Sequence, residues 1–193
     1  MAHAYQLPDD ALDCLCGEIS QHLDQLHEAR PGQTHPVELH ETFDVWMLGA
    51  DKLAAGAKAG KDLAQLAKPT NHLHHQIKQG GTALCSAISS TGKAAAPHIS
   101  GMALSPLVEK IDRAVDWLDH QSGLEDDPLV RLLKVPAYQV NAFWLVDEAG
   151  GDSRVVVIDA PTRLKHLPLL RVMSSREFIA ALLKEKQIVG IHE

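Results

Sequence analysis

Apolar residues recur at helical spacing along the first two-thirds of this chain. Leu12, Leu15, Ile19, Leu23 and Leu26 fall at steps of three and four behind Pro8-Asp9-Asp10. The pattern predicts a helix that starts at the acidic pair and stops near Arg30, where Pro31-Gly32 interrupts it. The longest pattern comes next. Leu39, Phe43, Trp46, Ala50, Leu53, Ala57, Gly60, Ala64 and Ala67 alternate steps of four and three, a seam of period 3.5. It predicts one long helix from about Pro36, with large residues at one end of the seam and alanine and glycine at the other. The thin end would let a partner backbone approach closely.

Pro69-Thr70-Asn71 ends that helix and caps a third, marked by Leu73, Ile77, Leu84 and Ile88. Gly80-Gly81 weakens the third helix, at about 1 kcal/mol per glycine relative to alanine. Residues 89–97 have the composition of a connector. A fourth helix opens at Ser105-Pro106 and carries Leu107, Ile111, Val115 and Leu118 on one stripe.

Near Leu129 the period changes. Residues 138–147 and 154–158 read as two strands joined by the turn Glu148-Ala149-Gly150-Gly151-Asp152, which makes a β-hairpin. Val155-Val156-Val157-Ile158 is apolar without alternation, so this strand should be covered on both faces. Residues 169–173 form a third strand, Ser174-Ser175-Arg176-Glu177 a capping box, and residues 187–191 a closing strand behind the helix it opens. The fold class expected is α+β: an α-helical, bundle-like N-terminal part (1–130) packed on a small C-terminal mixed β-sheet with one capping helix (131–193), the two forming one compact unit. No internal repeat is visible in the sequence.

Composition narrows the function classes. The chain has 193 residues, 45% hydrophobic and 22% charged, with a formal net charge of −7. An acidic chain without a basic stripe argues against nucleic acid as a partner; Lys52, Lys58, Lys61 and Lys68 are interleaved with Asp51 and Asp62. The N-terminus lacks a basic start and an apolar core, so no signal peptide is expected. No apolar run is long enough to cross a bilayer. Cys14, Cys16 and Cys85 cannot all pair within the chain, and reduced thiols point to the cytoplasm.

Histidine is the unusual feature, twelve in all. It is the commonest metal ligand and titrates near neutrality. His72 and His75, three apart, would share a face of a helix, and His40 stands near the start of the preceding one. These three are the candidate metal ligands, for zinc or iron. Glu-x-x-His pairs and His-Glu-x-x-His are absent.

Two short resemblances bear on chemistry. His75-Gln76-Ile77-Lys78-Gln79-Gly80-Gly81 resembles the active helix of histidine phosphotransfer domains, with Gln79 where that family has its first glycine. The resemblance implies a phosphorylated His75 with Lys78 beside it. Residues 140–146 and 155–161 are similar to the second half of a papain-like peptidase. That implies Cys85 as nucleophile and Asp159 at a strand end, but Asn141 stands where the general base belongs. No His lies between His120 and His166, so the implied relative is catalytically dead.

The strongest pattern is one of packing, and every catalytic constellation lacks a member. The expectation is a non-enzymatic, soluble binding or regulatory module. It would act through the helical face centred on residues 39–67, with a protein partner or a second copy of itself and with no nucleic acid or membrane. The alternative is a histidine-dependent metal-binding protein.

Overall fold

A computed structural model describes residues 4–27, 37–90, 98–121, 128–147 and 153–185. Eight strands form a single sheet in the order β4-β3-β2-β1-β5-β6-β7-β8. In chain order the elements are α1 (Asp9–His27), β1 (Val37–Met47), α2 (Ala50–Lys58), α3 (Leu63–Leu66), β2 (Lys68–Gln79), β3 (Thr82–Ser90), β4 (Ile99–Ala103) and α4 (Pro106–Asp119). They continue with β5 (Leu129–Val135), β6 (Val140–Val146), β7 (Arg154–Asp159), β8 (Val172–Ser174) and α5 (Ser175–Lys184).

This overturns the expected helical N-terminal part packed on a small C-terminal sheet. Half of the sheet comes from the region read as a bundle, and β5 straddles the junction placed at residue 130. The seam of residues 39–67 is not one helix: it is β1 followed by α2 and α3. Leu39 and Phe43 are four apart, as in a helix, but in β1 an irregularity between Leu39 and Glu41 turns them to opposite faces, Leu39 towards α1 and Phe43 towards α4. The decisive positions are Phe43, Val45 and Met47 on one face and Thr42, Asp44 and Trp46 on the other. The third expected helix is the hairpin β2–β3. Gly80 and Gly81 form its two-residue loop with φ of 57° and 77°, the left-handed pair that such a turn requires. What reads in sequence as a weakness in a helix is the turn itself.

Several local readings hold. α1 begins at Asp9 and α4 at Pro106, and β6 and β7 pair antiparallel as the expected hairpin. The connecting residues 148–152 and the expected closing strand 187–191 lie outside the described residues. Ser174 caps α5: its Oγ accepts from Glu177 N at 3.2 Å, and Glu177 Oε2 accepts from Ser174 N at 2.8 Å. The third strand is short, β8, with Leu169 bridging to Val157 ahead of it.

The topology repeats although the sequence does not. A helix followed by four antiparallel strands occurs twice, as α1 with β1–β4 and as α4 with β5–β8. The two meanders join where β1 and β5 run parallel. Parallel joining places the two helices on opposite faces. α4 packs on Phe43, Val45, Leu132 and Phe143, whereas α1 packs on Ile77, Cys85 and Ala87, in register with Thr42 through His75. α2, α3 and α5 cover Leu133, Trp144, Val155 and Val157 on the face away from α4. β1 and β2 are therefore interior strands, and residues 73–77 are buried without interruption.

Candidate functional site

Strand β2 carries the histidine cluster into the middle of the sheet. Successive residues of a strand point to opposite faces, so His72 and His75, three apart, also point apart. His72 and His40 are exposed, while His75 has no exposed surface. Among the described residues no group of three or more His, Cys, Asp or Glu side chains could hold a metal ion.

His75 is fixed by hydroxyl groups on both neighbouring strands. Its Nδ1 lies 3.0 Å from Thr42 Oγ1 and its Nε2 2.7 Å from Ser89 Oγ. Burial pulls its pKa down to about 4, so the ring is neutral at pH 7. A neutral imidazole has one N–H and one lone pair, and the two hydroxyls can serve both. Neither nitrogen is open to a phosphoryl donor.

His74 faces the α4 side and is 3% exposed. Burial, with Lys134 and His75 adding to it, brings its pKa to about 3. Neither ring nitrogen has a hydrogen-bond partner among the described residues. Two positions along, Gln76 donates from Nε2 to Asp112 Oδ1 at 3.2 Å and to Val108 O at 3.4 Å. Lys78 pairs with the same Asp112 at 2.7 Å. The polar face of β2 thus anchors α4 instead of meeting solvent, and nothing in its amino-acid pattern signals that role.

The residues of the peptidase-like resemblance are split. Asn141 and Asp159 stand opposite each other between β6 and β7, and Lys110 Nζ donates to Asp159. Cys85 lies on β3, five strand spacings from β7, roughly 24 Å away. It is 2% exposed, and burial pushes its thiol up to about 11. Beyond β7, His166 is engaged by Glu185, with Nδ1 and Oε1 2.8 Å apart.

An aromatic centre sits where β1, β5 and β6 meet. The Arg131 guanidinium lies 4.5 Å from the Trp46 ring centre and 5.1 Å from that of Trp144. The two indoles meet edge to face at 5.2 Å, and Trp46 Nε1 donates to Asp44 Oδ2 at 2.6 Å.

The accessible feature is the lower half of β1. β2 runs along one side of β1 for nearly its whole length, but β5 pairs only with Asp44, Val45, Trp46 and Met47 on the other. Beside residues 38–43 lies the N-terminal segment 4–7, tied among the described residues by a backbone bond from Tyr5 N to Thr42 O at 2.9 Å. A groove of about 520 Å³ opens there, lined by Tyr5, Leu7, Leu12, Leu39, His40 and Glu41 among others. Burial raises the pKa of Glu41, with Asp119 adding to the effect. Sequence reasoning missed this groove because it assigned β1 to a helix. The only local hint of a strand is the short alternation Phe43-Asp44-Val45, which the apolar Trp46 breaks.

Compared with protein-family models, with curated proteins and with solved structures, the chain matches none.

Proposed function

We propose that this protein is a non-enzymatic binding module that takes a short extended segment of a partner protein onto the open side of β1. The observation that carries this reading is the half-paired strand. Residues 38–43 have a hydrogen-bonded neighbour strand on one side and only the Tyr5–Thr42 bond on the other among the described residues. Six residues of strand span about 20 Å, enough for an added strand to gain affinity from backbone bonds and specificity from alternate side chains. Leu7, Leu12 and Leu39 offer apolar contacts, and Glu41 with the net charge of −7 favours a neutral or basic segment. The groups that catalysis would recruit, Cys85, His74 and His75, are buried, which supports a binding role. Cys14, Cys16 and Cys85 form no disulfide among the described residues, which fits a cytoplasmic setting.

The site replaces the helical face expected from residues 39–67, which are divided among β1, α2 and α3. The test is selection of peptides from a random displayed library against the full chain. Amide exchange is then followed with the selected peptide bound. Slowed exchange at residues 38–42, and about tenfold weaker binding by Leu39→Glu, are the expected results. Selected peptides that protect another surface, or selection that yields none, would overturn the assignment.

A further inference from the structure

The open side of β1 already carries a short guest from its own chain. Ala4, Tyr5, Gln6 and Leu7 line the groove beside Leu39 to Thr42, and Tyr5 N donates to Thr42 O. Ala4 packs on the cluster of Phe43 and Val45 under α4, and Leu7 on that of Ile77 and Cys85 under α1. The two are three positions apart, an odd spacing that sends side chains of an extended chain to opposite faces. The segment therefore reaches both faces of the sheet while its backbone bonds to the strand edge, as an added strand does. Its hold is slight. Tyr5 and Gln6 are exposed, and Ala4 and Leu7 are half-buried. Pairing cannot extend towards α1, because Pro8 has no N–H and its carbonyl accepts from Leu12 N.

We propose that residues 4–7 are a displaceable stand-in for the partner, which binds β1 by lifting Tyr5 off Thr42. The inference rests on the reading of β1 as a docking edge and adds the regulation of that edge. A segment laid along residues 38–43 needs the Thr42 carbonyl and the place about 4.8 Å beside β1, and both are taken. Apparent affinity is then scaled by the fraction of molecules in which residues 4–7 have lifted. The stand-in also describes its rival. The partner segment carries a small side chain towards α4 and a leucine-sized one towards α1, three positions apart. Where this chain has Pro8 the partner has a residue with an N–H, so its pairing runs on and outlasts that of the stand-in.

The test uses the full chain and a peptide selected on it, with Tyr5→Pro and Tyr5→Ala alongside. Proline removes the N–H that bonds to Thr42, whereas alanine keeps it. Tyr5 is 39% exposed, so both variants keep the fold, checked by circular dichroism. Tyr5→Pro should bind the peptide about fivefold tighter, the net contribution of one backbone hydrogen bond, and Tyr5→Ala as the wild type does. Followed by NMR, the Tyr5 amide should exchange faster with peptide bound while those of residues 38–42 slow. A Tyr5 amide equally protected in the complex, an unchanged affinity of Tyr5→Pro, or a gain shared by Tyr5→Ala overturns the displacement and leaves the docking edge standing. A peptide that binds without slowing residues 38–42 overturns the docking edge and the displacement with it.

Discussion

Thr42 Oγ1 and His75 Nδ1 meet at 3.0 Å between the two longest strands of the sheet. That contact belongs to a histidine held neutral in the protein interior, with Ser89 on its other nitrogen, and it has a consequence for stability. The folded-state pKa values of His75 and His74 fall to about 4 and about 3, below the ordinary 6.5 of an unfolded chain. The native state therefore binds fewer protons than the unfolded state below pH 6.5, and stability falls as pH drops through that value towards 4. The loss by pH 5 is on the order of 2 kcal/mol per histidine. Urea unfolding at pH 7.5 and 5 measures it, and His75→Gln should remove part of the difference. An imidazole of His75 that titrates near 6.5 by NMR would refute this account.

Arg131 between Trp46 and Trp144 is a packing element as much as a charge. Arg131→Met keeps much of the volume and loses the attraction to both ring faces, a cost of about 1–2 kcal/mol. Chemical denaturation gives the number, and tryptophan emission reports the rearrangement. Unchanged stability together with an unchanged spectrum would show that the stack contributes nothing.

Gly56 marks the close approach of α2 to α3. A Cβ there would run into the side chain of Leu66, which is 4% exposed and has little room to move. Gly56→Ala should destabilise by about 1–2 kcal/mol despite the better helix propensity of alanine. The smaller Leu66→Val in the same chain should recover part of the loss. A more stable Gly56→Ala protein would mean that the helices part freely.

Ser174→Ala removes the oxygen that accepts from Glu177 N at the start of α5. The expected loss is about 1 kcal/mol, read from the thermal or urea midpoint.

Cys85 should resist thiol reagents in the folded protein. Its pKa of about 11 and its 2% exposure remove both the thiolate and the access that reaction needs. Cys14 and Cys16, half-buried on α1, should label first, and Cys85 only on denaturation. Fast labelling of Cys85 at neutral pH, mapped by mass spectrometry, would contradict the packing of β3 under α1.

What the sequence determined by itself is local. The starts of α1 and α4, the β6–β7 hairpin and the Ser174–Glu177 capping box each depend on residues a few positions apart, where propensity, capping and turn chemistry act directly. Tertiary structure decided the middle of the sheet. Leu39, Phe43 and Trp46 satisfy helical steps, yet in β1 Leu39 and Trp46 lie on the face opposite Phe43, because the strand carries an irregularity after Leu39 and is covered on both sides. β1 became a strand through pairing with β2 and with β5, whose Arg131 lies opposite Asp44 across 87 positions of chain. The run from His72 to Ile77 reads as polar surface, yet residues 73–77 are buried. Thr42, Ser89 and Asp112, from three other elements, supply the hydrogen bonds that make burial of His75 and Gln76 affordable. No window of neighbouring residues contains those partners, so no periodicity could have revealed them.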